Sequence, residues 1–132
     1  MPSNRNVVLA TEEIYHIFNR GVERREIFTD KWEYRRALDT MSYYRFLEPP
    51  IRYSKYITLD KNRRIQLLNA LLTSQLQVDI LAFCLMPNHF HLLLKQTANA
   101  GISRFVSKFC DSYSKYFNIK HDRVGPLFQG PF

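Results

Sequence analysis

Two histidines one residue apart open an apolar run in LMPNHFHLLLKQ, residues 85 to 96. On a strand, residues i and i+2 point to one face. His89 and His91 therefore project side by side, while Phe90 and Leu92 point to the other face. Two imidazoles converging this way can hold one divalent ion. They leave most of its coordination sphere to a third ligand, water and substrate oxygens. Such an open site suits phosphate chemistry better than a structural role, which closes the sphere with protein ligands. The same spacing also arises as a solvated or aromatic-packed pair on a half-exposed strand.

The flanking segments must position this pair. VDILAFCL, residues 78 to 85, is a continuous apolar run that suits a central strand covered on both faces. Met86-Pro87-Asn88 is turn material, so residues 78 to 96 read as a β-hairpin. GISRFVSKFCDSYSKYFN, residues 101 to 118, is the clearest helix. Ile102, Phe105, Val106, Phe109, Cys110, Tyr113, Tyr116 and Phe117 fall on one stripe, with Arg104, Lys108 and Lys115 on the other side.

Upstream, EIYHIFN (residues 13 to 19) reads as a strand closed by an Arg20-Gly21 turn. Thr29 or Asp30 can cap a helix through residues 30 to 47, with Tyr34, Leu38, Met41 and Phe46 as its apolar stripe. Pro49 and Pro50 end it. Residues 48 to 63 form a basic, aromatic connector. RIQLLNALLTSQ, residues 64 to 75, has helical spacing at Ile65, Leu68, Leu71 and Leu72. After a polar loop, LFQGPF looks like the beginning of a last strand. The order β, α, connector and helix, β, β, α, β predicts an α+β, ferredoxin-like fold. Its antiparallel sheet carries helices on one face and the histidine pair on a central strand.

At 132 residues the chain is one domain's worth, with its core about residues 13 to 132. No apolar run approaches the roughly 18 residues of a membrane span. The N-terminus has no apolar signal core, which reads as a cytosolic protein. Cys84 and Cys110 lie in apolar segments far apart, with no CxxC, and read as two buried, reduced thiols. His16 reads as a packed or surface histidine and His121 as loop surface near phosphate. The formal net charge of +7 favours a polyanionic partner. Arg20, Arg24, Arg25, Arg104, Lys108, Lys115, Lys120 and Arg123 are the candidates for neutralising a nucleic-acid backbone. Tyr53 and Tyr56 in the connector are candidates for stacking on single-stranded bases.

MPNHFHLLL, preceded by a core strand and followed by an amphipathic helix, resembles the His-hydrophobic-His (HUH) motif of single-tyrosine transposases. These are the insertion-sequence transposases and their REP-associated relatives. YHIFNRGVERREIF resembles that family's first strand and its exit. YSKYFNIKHDRVGPLFQGPF resembles its helix end, basic loop and last strand. The resemblance covers roughly residues 13 to 132. It implies an enzyme that cuts and joins single-stranded DNA near an imperfect hairpin, in a bacterial, nucleoid-associated setting. A tyrosine oxygen attacks the scissile phosphodiester and leaves a 5′-phosphotyrosine link. His89 and His91 are carried over as ligands of the Mg²⁺ or Mn²⁺ ion that orients the phosphate.

The same resemblance implies a homodimer in intact relatives, and a nucleophilic tyrosine on a helix after the last strand. The sequence stops at Phe132, so the expectation is a chain without that helix. Tyr113 and Tyr116 are the nearest substitutes, but their place on the apolar stripe favours packing. The leading alternative is a non-catalytic remnant that binds DNA hairpins. An RNA-binding ferredoxin-like domain is a third reading, and it would need exposed aromatics on the sheet face.

Overall fold

The computed structural model describes residues 8–130. Their order is β1 (Ile14–Arg20), a single 3₁₀ turn (Val22–Arg24), α1 (Lys31–Tyr44), α2 (Tyr53–Tyr56), α3 (Lys61–Leu72), β2 (Val78–Met86), β3 (His89–Gln96) and α4 (Gly101–Lys120). The three strands form an antiparallel sheet in the order β1-β3-β2. The chain after α4 returns to the free edge of β1. Phe128 bridges Gly21, and the Gln129 amide donates to the Arg20 carbonyl at 2.8 Å. The expected last strand is thus a single bridge within the described residues, and Pro131 and Phe132 lie outside them. Its place beside β1, away from β3, is where a ferredoxin-like α+β fold has its last strand.

Period 2 decides which face of β3 is covered. Phe90, Leu92, Leu94 and Gln96 are buried, whereas His89, His91, Leu93 and Lys95 are not. The stripe of α4 supplies the other side of the core: Ile102, Phe105, Val106, Phe109, Tyr113 and Phe117 are all buried. Met41 and Phe46 from the α1 region join the same cluster. α4 lies over one face of the sheet with α1 packed against it, and the other face is open.

Two contacts fix α4 against the sheet. The Gln96 side chain leaves the end of β3 and accepts from the Ile102 amide at 3.1 Å, satisfying one orphan donor of the first turn. Gly101 sits so close to the next segment that a Cβ there would meet the Gln77 carbonyl oxygen at 2.1 Å. Only glycine permits that approach.

Three expectations are corrected. First, β2 is an edge strand rather than a central one, because β3 takes the middle place. Its apolar run is consequently half uncovered, and Phe83 is 54% exposed. Secondly, Cys84 is exposed because it shares the open face with His91, while Cys110 is half-buried and packs against the core. Burial raises the Cys110 thiol well above its ordinary value of 9.0, as a structural thiol requires. Thirdly, the connector contains the short helix α2, and the stripe of α3 does not pack as a unit. Leu71 is buried, but Ile65, Leu68 and Leu72 are exposed.

A buried charge ties the start of α1 to the end of α4. Asp30 caps α1 by accepting from the Glu33 amide at 2.9 Å. Glu33, fully buried, accepts from the Thr29 amide (2.7 Å), the Thr29 hydroxyl (2.9 Å), Lys120 (2.6 Å) and His121 (2.8 Å). Burial raises its pKa, but the bonds from Lys120, Thr29 and His121 outweigh burial and hold it below the ordinary 4.5. A depressed carboxyl contributes stability that is present above the unfolded-state value and lost as pH falls through the folded one. The chain should therefore lose stability on acidification below about pH 4.5. Glu33→Ala should cost about 3 kcal/mol at neutral pH, because it strips the buried partner from Lys120 and leaves the Thr29 and His121 bonds unmade. Urea unfolding of both proteins across pH 3 to 7 checks this. An equally steep acid limb in the variant would show that Glu33 is not the group responsible.

Candidate active site

The open face is built from rows of cross-strand partners. Phe18, His91 and Cys84 form one row, and Arg20, His89 and Met86 the next. His16, Leu93 and Ala82 form the row on the other side of His91. β1 contributes its outward set by the same alternation, since Ile17 is buried and Phe18 is 58% exposed. The structure thus brings His89 and His91 to one face, with ring centroids 5.1 Å apart and planes nearly perpendicular.

The turn that delivers His89 is anchored from below. The Pro87 carbonyl accepts from the Ile27 amide (2.7 Å) and the Phe28 amide (3.1 Å), and the Asn88 carbonyl from the Gly21 amide (2.9 Å). These bonds tie the hairpin tip to the segment that follows β1. A Cβ on Gly21 would meet the Arg25 carbonyl oxygen at 2.2 Å, so this segment folds as tightly as it does only with glycine there.

Each histidine of the pair has its Nδ1 engaged. His89 Nδ1 lies 2.7 Å from Asn88 Oδ1, and His91 Nδ1 lies 2.8 Å from His16 Nε2. An amide oxygen only accepts, so His89 Nδ1 is the donor in this bond. Desolvation, and then the neighbouring His16 and His89 rings, push the His91 pKa below its ordinary 6.5. That favours the neutral ring a metal needs.

The donor set is two imidazole nitrogens on an open face, which could hold a divalent ion only with oxygen ligands from elsewhere. Among the described residues no group of three or more His, Cys, Asp or Glu side chains is placed to hold a metal. A bound ion would accordingly draw its remaining ligands from water and phosphate oxygens.

His16 and Asn88 carried no role in the sequence. The His-x-His pattern could have pointed to Asn88, its immediate neighbour. His16 becomes visible only once the register of β1 on β3 is known.

The candidate basic residues divide into separate groups. Arg20 stands on the open face beside His89, and its Nε donates to Gln129 Oε1 at 2.7 Å. Arg24 and Arg25 are exposed just after β1. Lys108, Lys115 and Lys120 lie far around the molecule, in a groove of about 600 Å³ on the helical side. Arg36 and Arg52 line that groove with them and were not anticipated. Tyr53 and Tyr116 hold the Arg36 guanidinium, with their ring centroids 5.0 and 4.5 Å away. Lys120 is bonded to Asp30 and Glu33, which neutralise much of its charge. Arg104 is bonded to Gln77 and Asn99, and Arg123 to Asn118 and Pro126. His121 sits beneath Phe117 and against Glu33 rather than free in a loop.

The two candidate tyrosines do not share the histidine face. Tyr113 is fully buried, and its hydroxyl donates to the Ile27 carbonyl. Burial, then the nearby Glu33 charge, raise its pKa well above 10. Tyr116 is half-buried against Arg36.

Residues 10–131 match the sequence model of a family described as transposase, IS200 like. No curated protein matches the chain. No helix among the described residues is long and apolar enough to cross a membrane.

Proposed function

The chain belongs to the IS200-like transposase family, and from that premise we propose that its open sheet face receives the phosphodiester of single-stranded or hairpin DNA. The observation that carries this reading is the His89/His91 pair, side by side on an uncovered face with both Nδ1 atoms engaged. A Mg²⁺ or Mn²⁺ ion bound there would supply positive charge to a phosphate whose negative charge grows during transfer. His89 and His91 would hold that ion through ring nitrogens. Arg20, one row from Phe18 and opposite His89, adds a cation for a neighbouring phosphate. In the intact reaction a tyrosine oxygen forms the bond to phosphorus. The 3′-oxygen leaves, and the 5′-phosphotyrosine preserves the bond energy for rejoining. Phosphoryl transfer depends on positioning and charge stabilisation more than on elaborate acid–base chemistry. A rigid sheet face suits that demand.

The non-catalytic alternative, a module that binds DNA hairpins without cutting them, is favoured by one observation. Neither Tyr113 nor Tyr116 lies on the histidine face.

Both readings expect binding to single-stranded or hairpin DNA in preference to blunt duplex, with strong salt dependence. Four phosphate contacts on a single strand would give a log–log slope of about −3. Filter binding across a salt series measures it. Equal affinity for blunt duplex, or a flat salt response, would make the net charge of +7 incidental. Loss of catalysis with binding intact would select the second reading.

A further inference from the structure

We propose that His16 is a positioning residue for His91, accepting the His91 Nδ1 proton on its own Nε2 and so fixing the tautomer in which His91 Nε2 is free to bind an ion.

The argument starts from β1. Alternation turns Tyr15 and Ile17 toward the helices and His16 and Phe18 toward the open face. The register pairs His16 with Leu93 and Phe18 with His91, so His16 is the diagonal neighbour of His91. Diagonal positions are within reach of ring side chains. The two imidazoles lie with centroids 5.0 Å apart and planes within 9° of parallel. Phe18 stacks against both, at 5.5 Å from His16 and 5.9 Å from His91. Phe18 therefore limits the swing of either ring.

Between His16 Nε2 and His91 Nδ1 there is 2.8 Å, a hydrogen-bond separation that holds one proton. Two arrangements satisfy it. If His16 donates, the His91 proton must sit on Nε2 and the outward lone pair disappears. If His91 donates, Nε2 is free and the pair matches its neighbour. His89 is already locked in that state by Asn88 Oδ1, which can only accept. An ion on His91 Nε2 withdraws electrons from the ring and makes Nδ1–H a better donor, so His16 and the ion reinforce each other. Asn88 and His16 thus do for the two ligands what outer-shell acceptors do for metal-bound histidines generally: they set orientation and tautomer.

This inference rests on reading His89 and His91 as ion ligands, so its test begins without metal. The full chain is labelled with ¹⁵N in histidine, and the His91 ring nitrogens are assigned as protonated or bare. His16→Phe keeps a ring against Phe18 but removes the acceptor. His16→Gln removes the ring but keeps an acceptor oxygen. His16 is exposed, so both variants should fold, and amide spectra verify it. In the wild type, His91 Nδ1 should carry the proton. H16F should shift the proton toward Nε2, and H16Q should restore the wild-type pattern. Mn²⁺ affinity should fall about 10-fold in H16F and recover in H16Q. A His91 tautomer unchanged in H16F would overturn the proposal. So would Mn²⁺ broadening of His16 as strong as that of His89, which would make His16 a direct ligand. Wild-type protein that shows the tautomer effect but binds no Mn²⁺ would overturn the ion reading and leave the positioning role standing.

Discussion

Replacing both His89 and His91 by alanine should abolish saturable Mn²⁺ binding, and either single change should weaken it on the order of 100-fold. The size follows from the geometry. The pair would supply the only two protein nitrogens of the proposed site, and the described residues hold no group of three or more His, Cys, Asp or Glu side chains that could compensate. Loss of a ligand should cost at least as much as the 10- to 100-fold typical of losing an outer-shell partner. The fold should barely notice. Both rings are only partly buried and stand on the uncovered face, and the core below is made by Phe90 and Leu92. Surface changes of that kind usually shift stability by about 0.5 kcal/mol or less. Calorimetric titration with Mn²⁺, together with a thermal melt of the apo protein, separates the two effects. Wild-type affinity in the double variant would place the ion elsewhere.

Local periodicity carried most of the site's framework. The His-x-His spacing on a strand placed both rings on one face, and of the α4 stripe all but the half-buried Cys110 and Tyr116 are buried. Three features escaped because their causes are not local. The run VDILAFCL cannot say whether it is central or an edge, since its apolar character is the same in either place. Only the sheet order exposes Phe83, and only the uncovered face exposes Cys84. The apolar spacing of α3 was real, yet Ile65, Leu68 and Leu72 remain exposed because this helix does not lie over the sheet core. The His16–His91 bond depends on strand register, which a one-residue slip would destroy. The basic residues were legible as charges but not as places. Lys108 and Lys115 share a helical groove with Arg36 and Arg52, whereas Arg20 belongs to the histidine face.

The chain should form no covalent link to DNA through any of its eight tyrosines. A nucleophile must reach an in-line position on a phosphate held at the open face, within about 3–3.5 Å of phosphorus. Every tyrosine is committed elsewhere. Tyr15 is paired with Leu94, whose side chain is buried, and its hydroxyl accepts from the Ala10 amide at 2.7 Å. Tyr34 stacks on Phe28 at 4.8 Å. Tyr43, Tyr44, Tyr53 and Tyr56 pack on one another around α1 and α2. Tyr116 lies against Arg36, and Tyr113 is bonded inside the core to Ile27. Turning Tyr113 out would empty a fully buried aromatic site, at roughly 3 kcal/mol or more by analogy with large-to-small core changes. The ring would still face the wrong side of the sheet. Burial also raises its pKa and so disfavours the phenolate. Incubation with labelled hairpin DNA and Mn²⁺, followed by a denaturing gel, reads the outcome directly. A labelled adduct mapped to any of the eight would require the sheet face to open or a helix to leave it, and would overturn this assignment. Absence of an adduct, with hairpin binding intact, would leave all eight tyrosines in packing roles.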